Sequence, residues 1–206
     1  MKTKIKETIL ETTWKMIRRH GIHKTNIDDV ARAAMVAKAT IYNYFGSKDQ
    51  VYKEALDRKI GLMVERINQA VSIFPSPLEK LKVFIKVSMN MVTEEKLLFA
   101  DEDNQTHRFV SKIAAARERF FLAQERLLKG ILEQGVREGF FQTRNITKVV
   151  KLVGYLFRGL PPEKDEEQNP LSGQPDIDAE ANSLFEILCH GLLSNKGEHQ
   201  PCNSKP

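Results

Sequence analysis

The stretch Thr25 to Lys48, TNIDDVARAAMVAKATIYNYFGSK, decides the fold. It reads as two short helices joined by a tight turn and followed by the capped start of a third. Thr25 and Asp28 stand at the spacing of a capping box, in which a hydroxyl takes free N–H groups of a new helix and an acid reaches back, so a helix is expected from about Asn26. Ile27, Val30, Ala31 and Ala34 recur along it at steps of three and four, a stripe to be buried, while Asp29 and Arg32 keep the outer face. Met35, Val36 and Ala37 break the pattern. A second helix then runs from Lys38 through Tyr44, anchored by Ile41 and Phe45, with Ala39 small and Lys38, Thr40, Tyr42, Asn43 and Tyr44 left over.

That remainder sits on a helix of about seven residues, too short to be stable alone. Its side chains can hydrogen-bond phosphate oxygens and base edges, and a helix of this size fits the major groove. A merely solvated face would have a similar composition, but the ordered run of cap, turn and second short helix favours a helix-turn-helix. Ser47 to Gln50, SKDQ, has the spacing of another capping box, which would turn the free N–H groups of the next helix, and Lys48, toward the same side.

KATIYNYFGSKDQVY resembles the recognition helix and following helix start of the TetR family of repressors, whose pattern there is roughly Thr-x-Tyr-x-x-Phe-x-x-Lys; here those are Thr40, Tyr42, Phe45 and Lys48. The upstream T-x-x-D-V-A is matched by Thr25, Asp28 or Asp29, Val30 and Ala31. The resemblance implies that the first short helix crosses the DNA backbone and the second enters the groove. It implies base or phosphate contact for Lys38, Thr40 and Asn43, with Ala39 among them, and phosphate contact for Thr25, Tyr42, Tyr44 and Lys48. Two residues depart from the pattern: Met35 stands where the family has Gly in the turn, and Ala37 where it has a Ser or Thr. A left-handed Met35 would be strained by about 1 to 2 kcal/mol, and Ala37 is a poor cap.

The charge distribution agrees with a DNA-binding head. The 206 residues carry a net charge of +5. Residues 1 to 60 hold 13 Lys plus Arg against 7 Asp plus Glu, and residues 61 to 206 hold 19 against 20, so the whole surplus lies with the motif. Phosphate neutralisation drives nucleic-acid affinity, and a basic head on a near-neutral body suits a DNA reader with a separate sensing domain. No apolar run approaches the roughly 18 to 20 residues that span a bilayer, and the polar start MKTKIKETILE is unlike a signal peptide. A cytoplasmic protein is expected. Cys189 and Cys202 have no paired spacing and the five histidines are dispersed, so no metal and no cofactor are expected. The acidic run Asp101 to Asp103 reads as a solvated loop.

The rest is all-α, about nine helices in total. Lys4 to His20 forms the first, with Trp14 as a core anchor and Gly21 as its stop; Lys2, Lys4 and Lys6 could lie along a phosphate backbone. A long helix runs from Lys48 to about Val71, FPSP at Phe74 to Pro77 breaks it, and a fifth helix continues to about Val92. A short helix is expected around Leu97 to Phe99, then a long one from about Phe109 to Arg137 stopped by Gly139. Asn145 caps Ile146 to Leu160, a helix apolar on nearly two faces that must be covered on both; Asp178 to Leu193 forms the last. The domains are then 1–47, the DNA-binding head; 48–193, a regulatory and dimerisation domain with a mobile linker over 161–176; and 194–206, a disordered tail.

The resemblance implies a homodimer formed by the last two helices, with Val149, Val153, Leu156, Phe157, Leu184, Phe185, Leu188 and Leu192 at the interface. Two reading helices about 34 to 36 Å apart would read both halves of a palindromic operator in double-stranded DNA. It also implies a small-molecule effector, greasy or aromatic, in a pocket lined by Met63, Ile67, Phe84, Met89, Phe99, Phe120, Phe121 and Tyr155, with Tyr155, His107 or Asn90 as polar handles. Each of these residues is equally an ordinary core residue. No HExxH, Gly-rich phosphate loop or nucleophile elbow is present, so an enzyme is not expected. The rival reading is a helical protein-interaction module whose basic head binds an acidic partner.

Overall fold

A computed structural model describes residues 2–95, 98, 107–143, 145–159 and 176–192. The regular elements among them are eight helices: α1 (Lys2–Lys24), α2 (Ile27–Ala33), α3 (Lys38–Phe45), α4 (Lys48–Ser72), α5 (Pro77–Glu94), α6 (His107–Arg137), α7 (Ile146–Arg158) and α8 (Ile177–Leu192). Of the expected short helix at Leu97 to Phe99 only Leu98 is among the described residues. The acidic run at 101–103, Phe99, the linker over 161–175, Cys202 and the tail 194–206 lie outside them.

Local chemistry sets the helix ends. Gly21 takes φ +78 and breaks α1 near its end, a conformation that a residue with a Cβ resists. The Ser76 hydroxyl accepts the Leu78 amide at 3.3 Å, with Pro77 at the first position of α5, where its missing N–H costs nothing. Asn145 caps α7 through the Lys148 amide at 2.9 Å, as the sequence predicts. Asp176 caps α8, its carboxylate accepting the Ala179 amide at 3.0 Å.

The chain forms two compact units. The first holds α1 to α3, α4 as far as Met63 and α6 as far as Phe120. Its core comprises Ile9, Trp14 and Ile17 of α1, Val30 of α2, Ile41 and Phe45 of α3, and Val51, Tyr52 and Leu56 of α4, all buried. Lys112 pairs with Asp49 at 3.0 Å and Arg119 with Asp57, so α6 is tied to α4 at two points.

The second unit holds α4 from Val64, α5, α6 from Phe121, α7 and α8. Phe84 stacks obliquely on Phe157 with ring centres 5.9 Å apart, and Lys86 reaches Asp178 at 2.8 Å, joining α5 to α8. That bond holds the Asp178 carboxyl below its ordinary range. Cys189 is buried. After α6, Gly139 takes φ +79, and the Phe140 and Phe141 amides both donate to the Gly135 carbonyl. Phe141 turns inward, and a Cβ at Gly135 would stand 2.0 Å from its ring. Gly135→Ala must therefore displace a buried aromatic ring, and thermal unfolding should show a loss of about 1 to 3 kcal/mol; an unchanged midpoint would contradict this packing.

Candidate nucleic-acid interface

The helix-turn-helix forms at the expected place with a different cap. The Asn26 side chain, not Thr25, accepts the Asp29 amide, at 2.7 Å. Thr25 is 1% exposed, and its hydroxyl donates back to the Gly21 carbonyl at 2.9 Å. Direct phosphate contact by the Thr25 hydroxyl is thereby corrected: the side chain is spent on closing α1. The Thr25 carbonyl is equally committed, accepting Lys48 Nζ at 3.0 Å and the Tyr52 hydroxyl at 2.5 Å. Tyr52 is fully buried; that burial and the Asp29 and Asp49 carboxylates push its phenol above the ordinary range, which keeps it a donor. Lys48 is half-buried and also lies 5.2 Å from the centre of the Tyr52 ring, so its ammonium clamps the head instead of extending freely toward DNA. The signal for this was the i, i+4 spacing of Lys48 and Tyr52, which brings both onto one face of α4.

The turn is closed by the Met35 amide on the Arg32 carbonyl at 3.2 Å and the Val36 amide on the Ala31 carbonyl at 3.0 Å. Met35 does adopt the left-handed conformation, φ +54, with 92% of its surface exposed. The head therefore carries about 1 to 2 kcal/mol of local strain that glycine would relieve. Ala37 offers no side-chain cap, leaving the first N–H groups of α3 open to an acceptor from outside. Gly46, φ +76, ends α3 with its amide on the Tyr42 carbonyl at 2.7 Å. Ser47 then accepts the Gln50 amide at 3.2 Å, but the Gln50 side chain pairs forward with Glu54, so only half of that capping box forms.

With Ile41 and Phe45 turned inward, Lys38, Ala39, Tyr42 and Asn43 are the exposed face of α3, flanked by half-buried Thr40 and Tyr44. Both oxygens of Asp28 lie 2.9 Å from Lys38 Nζ, and this hydrogen bonding raises the lysine pKa. Lys6, expected along a phosphate backbone, instead pairs with Glu54 at 2.7 Å and lies over the Phe45 ring at 5.4 Å.

A profile described as bacterial regulatory proteins, tetR family, matches residues 9–55, which span α1 to the start of α4. Over residues 9–55, then, this chain matches the TetR family. It is similar to the fatty acid metabolism regulator protein of Bacillus subtilis, 22% identical over 89% of this chain and 93% of that protein. It is also similar to the HTH-type transcriptional repressor KstR2 of Mycobacterium tuberculosis, 23% identical over 65% of this chain and 68% of that one. Among solved structures, FadR from Bacillus subtilis in complex with stearoyl-CoA shares the fold with a TM-score of 0.62 at 19% identity, covering 90% of this chain and 98% of that one. These relatives are described as transcriptional regulators or repressors.

Other expected sites divide. Met63, Ile67, Phe84, Met89, Phe120 and Phe121 are buried, with Met63 and Phe120 in the first unit and the other four in the second. Tyr155 is corrected: it is 64% exposed, because the inward stripe of α7 is Val150, Val153, Gly154 and Phe157. Asn90 donates to the Lys86 carbonyl, and the His107 side chain is outside the described residues. Of the expected interface, Val153, Phe157, Phe185 and Leu192 are corrected as well, since they are buried in the chain's own core. Leu156 is exposed, Val149, Leu184 and Leu188 are half-buried, and Leu152 and Ile187 are exposed apolar side chains outside the expected interface set. No helix among the described residues is long and apolar enough to cross a membrane.

Asp28 sets a negative charge beside the reading face and occupies Lys38. Asp28→Asn should raise affinity for any duplex at low salt by roughly three- to tenfold, a gain that shrinks as salt screens it. Fluorescence anisotropy titrations at two salt concentrations check this, and an unchanged or weaker affinity contradicts it.

Proposed function

We propose that the protein is a homodimeric repressor that reads a palindromic operator with α3 and is released from it by a small hydrophobic ligand. The observation that carries the reading role is the exposed face of Lys38, Ala39, Tyr42 and Asn43 on a helix anchored by Ile41 and Phe45. Lys38 and Asn43 are the base readers, Ala39 permits close approach, and Thr40, Tyr42 and Tyr44 hold phosphates. Lys48 and Thr25 act from behind by fixing where α3 stands. Such a regulator works in the cytoplasm, where its operator is.

Dimerisation is supported by apolar side chains that the last two helices leave exposed. Leu152, Tyr155 and Leu156 of α7 and Ile187 of α8 are 53%, 64%, 52% and 68% exposed. Water around that much apolar surface favours a second copy seated on it. For the effector, one relative is named for fatty acid metabolism, and a solved relative holds stearoyl-CoA. Another solved neighbour is described as the ketosteroid regulator KstR2. An apolar ligand in the second unit of this chain accords with them. It lowers operator affinity only to the extent that it prefers a conformation in which the two reading heads no longer match the half-sites.

Two measurements test this reading. Across a panel of duplexes, Lys38→Ala and Asn43→Ala should reorder the preferences, whereas Tyr42→Phe should weaken all of them alike; equal loss on every duplex for all three would remove the reading roles. In sedimentation, the wild type should be a dimer, and Leu156→Asp combined with Ile187→Asp should give a folded monomer. A wild type that stays monomeric at micromolar concentration contradicts the interface.

A further inference from the structure

Two acids open α2, and they are used differently. The Asp29 carboxylate is spent within its own helix, accepting from the Asn26 side-chain amide and facing Arg32 at 3.7 Å. Asp28 turns the other way. Both of its oxygens lie 2.9 Å from Lys38 Nζ, so the first turn of α2 is joined to the first residue of α3. The side chains of Lys38 and Asp28 remain 49% and 59% exposed. An exposed ion pair adds little to stability. This one stands on the exposed face of α3, one helical turn before Tyr42.

A lysine is a compact charge on a flexible stem, and beside a duplex it goes as readily to a phosphate as to a base. The Asp28 carboxylate restrains that freedom. It also repels phosphate oxygens, and when ionised it can only accept hydrogen bonds. The joined pair therefore presents a donor beside an acceptor, 2.9 Å apart. The major-groove edge of a G·C pair carries the complementary pattern, with guanine N7 and O6 as acceptors and cytosine N4 as a donor. O6 and N4 lie about 2.9 Å apart, because they are themselves hydrogen-bonded in the base pair. An A·T pair instead sets its donor between two acceptors, so a carboxylate over adenine N6 meets repulsion on both sides.

We propose that Lys38 and Asp28 act as one unit that reads a single G·C base pair in each half-site, Lys38 donating to guanine and Asp28 accepting from cytosine N4. This rests on α3 being the reading helix of a symmetric pair, as proposed above. Asp28 is thereby a specificity-determining residue carried by α2 rather than α3. It lowers affinity for every duplex by its charge and raises discrimination among them, because it rejects acceptors and keeps Lys38 off the phosphates.

Selection from random duplexes by the full-length wild type, Asp28→Ala, Lys38→Ala and Asn43→Ala tests the unit, with anisotropy titrations on the recovered site. The wild type should require G·C at one position of each half-site, and every other pair there should bind roughly tenfold more weakly, the scale of one mismatched pair. Inosine in place of that guanine lacks only the minor-groove amino group and should bind within about twofold of the parent. Asp28→Ala should lose the preference at that position alone. Its salt dependence should steepen by about one phosphate contact, as the released Lys38 finds a phosphate. Lys38→Ala should lose the same preference, and the double variant no more than either single one. Asp28→Asn, close in shape, should reduce the same preference if the alanine variant fails to fold. A G·C preference that survives in Asp28→Ala overturns the unit, as does a change at different positions in Asp28→Ala and Lys38→Ala, or a pair other than G·C at the position they change. In each of those cases a position shifted by Asn43→Ala leaves the reading role of α3 standing. A wild type that enriches no sequence removes that role and this inference with it.

Discussion

The Thr25 carbonyl is the point on which the reading head depends. It receives an ammonium from Lys48 and a phenol from Tyr52, both carried by the first turns of α4, while the Thr25 hydroxyl closes the preceding helix on Gly21. A carbonyl oxygen has two lone pairs, and here both are used by donors on one helix. A charged donor contributes about 1.5 to 3 kcal/mol and a neutral one about 0.5 to 1.5 kcal/mol. The junction between α1 and α2 is thus pinned to α4, and α3, seven or eight residues that could not stand alone, is held between two fixed ends. A helix this short reads DNA only if its position is set by something else.

The same tie explains what the sequence revealed and what it concealed. Periodicity placed α2 and α3 within a residue or two, because Ile27, Val30, Ile41 and Phe45 have only one way to face a core. The strain at Met35 was legible through the resemblance, since Met35 stands where the family has Gly, and its φ is +54. Thr25 and Lys48 were harder. A hydroxyl at a capping position and a lysine after a serine are what an outward-facing phosphate site would present, and only the three-dimensional neighbourhood shows both turned inward. Asn26, one residue on, took the cap because its amide oxygen reaches the same N–H groups.

In the second unit the difficulty was of another kind. A helix apolar on nearly two faces announces that both are covered, but not which face the chain itself covers. Val153 and Phe157 went to the core with Val150, leaving Leu152, Tyr155 and Leu156 outside. Phe84 and Phe121, which the sequence offers as pocket lining, are buried as ordinary core residues would be.

The account stands on α3 being a sequence reader presented twice by a symmetric pair. Selection of random duplex DNA by the purified protein at near-physiological salt, followed by sequencing of the bound fraction, tests this most directly. The account predicts enrichment of a palindrome whose half-sites lie about 10 base pairs, or a multiple of that, from centre to centre. Binding that falls with salt yet enriches no sequence would contradict it, and would return the basic head to the role of an undiscriminating anion-binding surface.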